Sequence, residues 1–462
     1  MIIGFQYCSI MFPAASLLTT LLLALSIAAS PVEIRSSPIT LPIARRLNTS
    51  GGTINLLQHD QSRAAALKNV GEKHPQPSYC YIAAVGVGSP ATTYYLIVDT
   101  GSSNTWTSTS VDTGEAVAVT YGSGSFSGTE YTDTVTLGDG LTITPSRLVF
   151  AATSEGFTGV DGILGIGPLD LTEGTLTKEP DTTIPTVTDN FVGVSFEPTT
   201  SESDANGELT FGGTDATKYT GDIAYTPLTT TYPASYYWGI NESITYGTTT
   251  ILAETAGIVD TGTTLILIAT NAYSEYQSAT GATEDNATGL LRLTTAKYDD
   301  LEDLNFNVGS STYALTPNGQ IWPRALNTYI GGSSDYVYLI VNSIGTPSGE
   351  GLDFINGYTF LERFYSVFDT TNSQVRVYAI AGFLHSLRVR WRERKNRNDL
   401  PATAVASLLN AVKRAFVLSR HLKIQDKLAI GSLYQGKIAR VGKPAGFGQL
   451  RMTGHGEGVA EG

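Results

Sequence analysis

The sequence predicts an all-β protein built from two similar halves, and three observations carry that expectation. Gly, Tyr, Thr and Ser are abundant in this chain of 462 residues, with 48 Gly and 24 Tyr, whereas Ala/Glu/Lys-rich runs at helical spacing are scarce, a balance that favours strands and tight turns. Apolar residues come in short runs closed by turn residues. One such stretch also occurs twice: Tyr94-Tyr-Leu-Ile-Val-Asp-Thr-Gly-Ser-Ser-Asn-Thr-Trp106 returns 161 residues later as Ala256-Gly-Ile-Val-Asp-Thr-Gly-Thr-Thr-Leu-Ile266.

Each copy delivers one carboxylate, Asp99 or Asp260, from an apolar strand onto a Thr-Gly turn. A charged group at the end of a buried strand is costly unless it is hydrogen-bonded or shares a proton. Two such ends imply one shared site. Asp-Thr-Gly is good turn chemistry anywhere, so a single copy would be read as a strand cap; the registered duplicate is not.

Along the chain, Leu17 to Ala29 is an apolar run ending in small residues. It reads as a secretory signal peptide over residues 1–30, with Met11 the more natural start. Residues 31–76 carry Arg35, Arg45, Arg46, Arg63, Lys68 and Lys73 with little apolar periodicity, and read as a pro-segment whose basic side chains lie across an acidic cleft until acid neutralises it. A disordered linker is the plainer alternative. The first lobe, 77–225, opens with Tyr81 to Val87, the turn Gly88-Ser-Pro90 and the Asp99 strand. Thr134 to Leu137 and Leu141 to Ile143 flank Gly-Asp-Gly140 as a hairpin. Asp161-Gly-Ile-Leu-Gly-Ile-Gly167 is an apolar strand punctuated by glycine, matched in the second lobe, 226–382, by Asp353-Phe-Ile-Asn-Gly357. Two short helices are expected, Thr270 to Ser278 with Thr270 as its cap, and Thr295 to Leu301. From 383 to 462 the chain turns basic, with apolar Val405, Leu408, Leu409, Val412 and Phe416 at helical spacing. A helix lying on a membrane surface is one reading; a tail foreign to the functional fold, from a retained intron or frame error, is the one preferred here.

Charge narrows the function. Between residues 75 and 382 there are 8 Lys and Arg against 34 Asp and Glu. Such a body repels itself at neutral pH, suits acid, and disfavours nucleic acid. The 5 His show no metal-ligand spacing, so no metal or other cofactor is expected. Of the 2 cysteines, Cys8 falls in the targeting segment, which leaves Cys80 as a structural strand residue and excludes an internal disulfide in the mature body. Asn241-Glu-Ser and Asn286-Ala-Thr are candidate glycosylation sites on an exported chain.

Together, Asp99-Thr-Gly-Ser-Ser-Asn-Thr-Trp106, Tyr121-Gly-Ser-Gly-Ser-Phe-Ser-Gly128, Asp161-Gly-Ile-Leu-Gly165, Ile258-Val-Asp-Thr-Gly-Thr-Thr264 and Phe360-Leu-Glu-Arg-Phe-Tyr-Ser-Val-Phe-Asp369 resemble the pepsin-like aspartic proteases over about residues 79–381. Within them, the chain is similar to the secreted basidiomycete enzymes of the polyporopepsin type. The resemblance implies a bilobal fold, two β lobes about a pseudo-twofold axis with a substrate cleft between them, in a monomer that cuts polypeptides and binds pepstatin-type inhibitors. Asp99 and Asp260 would be the catalytic pair, sharing one proton over a broad acidic range and activating water without a covalent intermediate. Thr100 and Thr261 would bond across the axis, Ser102 and Thr263 would donate to the outer carboxylate oxygens, and Gly101 and Gly262 would permit the turns. Tyr121, Gly122 and Ser123 would form a flap over substrate, with Trp106 as the partner of the Tyr121 hydroxyl. Ser123 replaces the Asp found in relatives that accept Lys before the cut, which points to cleavage between bulky apolar residues. Secretion is the expected destination, with the vacuole as the alternative.

The chain departs from the family pattern in having only 22 steps from Asp99 to Tyr121. That trimmed route, and a similar shortening near Asn190 to Val194, support a rival expectation: a catalytically impaired pepsin-fold protein that binds peptides. A Thr- and Ser-rich surface protein with no cleft is the third reading.

Overall fold

The computed structural model describes residues 38–47, 53–69, 79–107, 115–121, 124–138, 141–155, 157, 159–168, 171, 191–201 and 203–380. The signal-peptide reading, Gly122 and Ser123 of the flap, and the basic tail lie outside these residues.

The architecture is almost wholly β, as two carboxylate-bearing halves require. Before the first Asp-Thr-Gly come β1 (Ile39–Leu47), a helix α1 (Leu56–Lys68), β2 (Tyr79–Val87) and β3 (Thr92–Asp99). The first half continues with β4 (Trp106–Thr107), the long antiparallel strands β5 (Glu115–Tyr121), β6 (Gly124–Leu137) and β7 (Leu141–Glu155), then β8 (Gly162–Gly165), β9 (Phe191–Ser195) and β10 (Ser203–Phe211). After β11 (Tyr219–Pro227), the second half runs through β12 (Gly239–Tyr246), β13 (Thr249–Val259), β14 (Ile266–Ile268), α2 (Thr270–Thr280), β15 (Thr283–Glu284), β16 (Leu291–Thr294), α3 (Thr295–Tyr298), β17 (Leu304–Val308) and β18 (Ser311–Leu315). It closes with β19 (Tyr336–Tyr338), β20 (Val341–Ser343), β21 (Phe354–Asn356), α4 (Tyr358–Leu361), β22 (Phe364–Asp369) and β23 (Gln374–Ile380).

Among the described residues the strands form one large sheet, in the order β11-β23-β22-β9-β10-β1-β2-β3-β8-β4-β7-β6-β5, and two smaller sheets in the second half. The duplication read from sequence is structural. β3 lies parallel to β8, with Asp99 opposite Gly165, and β13 lies parallel to β21, with Val259 opposite Asn356. In each half the apolar strand that carries the Asp is thus wedged against the glycine-punctuated strand. The expected hairpin forms, with Leu137 opposite Leu141.

Packing fixes these strands. Leu96, Val98, Ile258 and Val259 are buried in the main core, and each such side chain contributes about 1.5–3 kcal/mol. Trp106 is fully buried, its ring edge-on to Phe157 at 4.6 Å in a satellite cluster. Trp238 Nε1 donates to the Ile166 carbonyl at 3.0 Å and ties the two halves just beneath the Asp loops.

The helices differ in detail from expectation. α2 begins with Thr270 as its first helical residue, and Ala269 occupies the cap position. The Thr270 N–H, one of the donors left over at the helix start, is satisfied by the Thr346 carbonyl at 2.8 Å. α3 ends at Tyr298, and its cap is Thr294, whose hydroxyl accepts from the Lys297 N–H. β1 and α1 lie in a segment with little apolar periodicity in sequence. β1 is inserted between β2 and β10, and Arg45 on it is buried against Glu362 at 3.3 Å, which also accepts from the Tyr81 hydroxyl at 3.2 Å.

Candidate active site

The two Asp-Thr-Gly turns meet back to back. Thr100 N donates to Thr261 Oγ1 and Thr261 N donates to Thr100 Oγ1, both at 2.9 Å. Each hydroxyl reaches across the axis as well, Thr261 Oγ1 to the Val98 carbonyl at 2.9 Å and Thr100 Oγ1 to the Val259 carbonyl at 3.3 Å. This reciprocal lattice clamps two turns whose carboxylates would otherwise repel.

Each carboxylate is then oriented by its own turn. Asp99 Oδ1 accepts from Gly101 N at 3.0 Å and its Oδ2 from Ser102 Oγ at 2.7 Å. Asp260 repeats this with Gly262 N at 3.0 Å and Thr263 Oγ1 at 2.6 Å. Glycine is required at 101 and 262 because a Cβ at either would run into the carboxylate of the opposite turn. Asp99, Asp260, Thr100, Thr261 and Thr263 are buried to within about 1% of full enclosure.

One more residue stands in this site. Arg63, from α1, places its guanidinium between the two acids: Nη2 donates to Asp99 Oδ1 at 2.6 Å and to Asp260 Oδ1 at 3.0 Å, while Nε donates to Asp260 Oδ2 at 2.7 Å. Arg63 is fully buried. Burial alone would discourage its charge, but the two carboxylates hold it firmly protonated. Burial also opposes ionisation of Asp260, yet Arg63, Thr263 and Gly262 together outweigh it and hold this carboxyl below its ordinary range. At Asp99, burial dominates and, with the nearby Asp260 charge, raises its proton affinity despite Arg63. The two members of the pair are therefore driven apart, as expected for carboxylates sharing one pocket.

The rest of α1 fits the cleft as closely. Asp60 Oδ2 accepts from the backbone N–H groups of Thr264 at 3.1 Å and Leu265 at 2.7 Å, and burial pushes its carboxyl up to about 7. His59 is held down to about 4, chiefly by burial and then by Arg63. The Tyr237 hydroxyl donates to the Leu67 carbonyl at 3.0 Å, and Gln61 Nε2 donates to the Ser343 carbonyl at 2.9 Å.

Comparison with known proteins gives the family. The family profile described as eukaryotic aspartyl protease matches residues 80–109 and 107–380. The chain belongs to this family. It is 64% identical over 315 residues to polyporopepsin of Irpex lacteus, an alignment covering 64% of this chain and 92% of that protein. Pepsin A of Sus scrofa is 28% identical over 331 residues, covering 65% and 81%. The crystal structure of the aspartic proteinase from Irpex lacteus superposes with a TM-score of 0.64 at 53% identity, covering 75% of this chain and 98% of that one. The fold is the pepsin-like, two-lobed one, and the chain is an aspartic endopeptidase acting on polypeptides.

Of the residues named from sequence, Asp99, Thr100, Gly101, Ser102, Asp260, Thr261, Gly262 and Thr263 converge at one point. Trp106 sits nearby in the first half with its ring packed on Phe157. The backbone of Tyr121 pairs with Gly124 at the end of the β5–β6 hairpin; Gly122 and Ser123 are outside the described residues. Asn241 and Asn286 are both exposed. Sequence reasoning placed Arg63 in a basic segment facing an acidic cleft without singling it out, and it passed over Asp60 and His59. Nothing local in the sequence marks those three residues.

Proposed function

We propose that Asp99 and Asp260 are the catalytic pair, and that this chain is the latent precursor of an exported acid endopeptidase in which residues 31–76 are the pro-segment. The observation that carries this reading is the Arg63 guanidinium bonded to both carboxylates at 2.6–3.0 Å, on the spot a catalytic water would need. The strength of those bonds depends on ionised acids, so latency belongs to neutral pH and release to acid.

With Arg63 withdrawn, a water bridging the two carboxylates is deprotonated by the ionised member as its oxygen attacks the scissile carbonyl carbon. The protonated member gives its proton to the carbonyl oxygen, forming a neutral gem-diol. Collapse breaks the C–N bond: one diol hydroxyl returns its proton to a carboxylate, and the amide nitrogen leaves with a proton from the acid. Ser102, Thr263 and the two glycine N–H groups act throughout as fixed donors to whichever carboxylate is charged. Pepsin is the familiar example of such a dyad, whose two titrations belong to the pair.

The finer assignments are part of the same proposal. Tyr121, Gly122 and Ser123 form the flap, with Trp106 as the anchor of Tyr121, and Ser123 in place of an acid favours cleavage between bulky apolar residues. Export is supported by the apolar run from Leu17 to Ala29; a relative called probable vacuolar protease A, 30% identical, keeps the vacuole as the alternative destination. The enzyme acts as a monomer without metal.

The test is hydrolysis of denatured haemoglobin or casein from about pH 2 to 7 by the purified chain, with pepstatin and Asp99→Asn as controls. Activity confined to acid and lost in both controls is the expected result. Activity that survives Asp99→Asn removes the dyad reading.

A further inference from the structure

A second carboxylic acid is buried behind Asp260, and the mechanism above does not use it. Glu242, on β12, is fully enclosed. Both of its oxygens accept from one neutral group, the Asn356 side-chain amide, at 3.2 and 3.0 Å. Asn356 ends β21, and its backbone carbonyl accepts the Asp260 N–H at 3.1 Å. Glu242 is therefore two hydrogen bonds from the backbone of a dyad residue.

Among the described residues, the strands paired with β12 bring no cation to Glu242. On β13, the strand paired with β12, the one titratable side chain is Glu254, which is exposed. β17, on the other side of β12, carries none. Asp353, just before β21, accepts from Thr255 Oγ1 and from the N–H groups of Gly349 and Glu350. Asp260 is taken up by its own turn and by Arg63. A carboxylate sealed among apolar strands with only an amide for company is far costlier than the acid form. The undissociated acid also brings an O–H that the anion lacks, while Asn356 Oδ1 is buried without a donor among the described residues. The acid form thus brings to this pair the donor that the anion lacks.

We infer that Glu242 is a positioning residue for the hydrolytic reaction: as an undissociated acid it fixes Asn356, and through the Asn356 carbonyl the Asp260 loop, and its ionisation drives the inactivation of the enzyme in alkali. This rests on the reading that Asp260 is a catalytic acid. Burial, the dominant influence, moves the Glu242 carboxyl up to about 8, with the Asn356 bond pulling the other way. The sign follows. An acid whose folded value lies above its unfolded one keeps its proton in the native state while the unfolded chain has lost it, so its burden is absent below about pH 4.5, grows as pH rises, and is complete above about pH 8.

Glu242→Gln keeps shape and amide bonding and removes the titration. It also preserves the Asn241 glycosylation triplet, so sugar does not confound the comparison. In the acid-processed enzyme, Glu242→Gln is expected to retain kcat and KM within about twofold at acid pH, while the midpoint of alkaline inactivation moves up by about half a pH unit or more. Glu242→Leu, which leaves Asn356 without its partner, is expected to lower kcat about tenfold at acid pH with KM changed less than about threefold. An unchanged alkaline midpoint in Glu242→Gln overturns the inference, as does wild-type kcat in a folded Glu242→Leu enzyme; should the leucine variant fail to fold, the glutamine midpoint alone decides. Asp99→Asn and Asp260→Asn are run alongside. If either turns over normally, the dyad reading has failed on its own account; if both are inert and Glu242→Gln matches wild type in alkali, only the role of Glu242 is lost.

Discussion

If the precursor is latent as proposed, replacing Arg63 by Ala should make it leaky. The guanidinium is fully buried and donates to Asp99 Oδ1, Asp260 Oδ1 and Asp260 Oδ2 at 2.6, 3.0 and 2.7 Å. Removing one partner of a buried, hydrogen-bonded charge pair costs about 3–5 kcal/mol, because the remaining charges lose their counterion without gaining water. Here the two acids can recover part of that by sharing a proton, so the lower end, about 3 kcal/mol, is the safer figure. It corresponds to a roughly 100-fold larger fraction of molecules with α1 lifted from the cleft. The helix keeps the Asp60 bonds to Thr264 and Leu265 and the Tyr237 bond to Leu67, so it should not leave altogether. The assay is binding of a fluorescent pepstatin to the uncleaved precursor near pH 6, with mass spectrometry to verify that residues 31–76 are still attached. Apparent affinity scales with the open fraction, so Arg63→Ala should tighten pepstatin by at least about tenfold. Arg63→Lys should fall between the two, since a point charge cannot bridge both acids as the planar fork does. If Arg63→Ala binds pepstatin within twofold of wild type, the guanidinium is not what closes the site.

Acid release should have more than one sensor. Asp260 is held below its ordinary range while Arg63 is docked, so its contribution to docking is present above the normal carboxylate range and vanishes as pH falls through the lowered value. His59, held down to about 4, resists protonation when docked; its burden on docking appears as pH falls below about 6.5 and is complete below about 4, so His59→Leu should need more acidic conditions to process itself, read by gel mobility against pH. Asp60→Leu orphans the Thr264 and Leu265 N–H groups, about 1–3 kcal/mol of docking, and should process at higher pH than wild type, while Asp60→Asn, which retains an acceptor oxygen, should stay close to wild type. Thr261→Ala deletes the Oγ1 that accepts from Thr100 N and donates to the Val98 carbonyl; a loss of about 1–3 kcal/mol in thermal stability, with kcat falling more than KM rises, is expected. If the chain is exported by a fungal host, treatment with an N-glycosidase should shift its mass, and Asn241→Gln with Asn286→Gln should abolish the shift.

How much of this site is legible in the sequence depends on whether its logic is local. The dyad is legible because each half encodes its own turn and donor within four residues, Asp99 to Ser102 and Asp260 to Thr263, directly after an apolar strand, and because the duplication argues against a casual turn. The glycine-punctuated apolar strands beneath it, β8 and β21, are legible for the same reason, whereas their parallel pairing with β3 and β13 joins segments too far apart for either window to show. α1 is not legible because its buried stripe is partly charged. Leu56, Asp60, Arg63, Ala64 and Leu67 recur at helical spacing and are all buried, which would read as an amphipathic helix if Asp60 and Arg63 were apolar. They are not, and their partners lie 36 to 205 residues away in sequence, so no window along the chain can see that the charges are satisfied. β1 hides itself in the same way. Ile39, Leu41, Ile43 and Arg45 alternate as one inward face, but the alternation ends on an arginine whose counterion, Glu362, belongs to the far end of the second half. A segment built to hold ionised acids closed and release protonated ones must put charge where a permanent core would put leucine. Its weak periodicity is thus a consequence of the role proposed for it, and Arg63→Leu tests that link: the stripe loses its cation and keeps Asp60 as its one charged position, so α1 should dock with less dependence on pH, and the precursor should process more slowly in acid than Arg63→Ala does. Equal rates for the two variants would mean that the charged stripe is not what couples docking to acid.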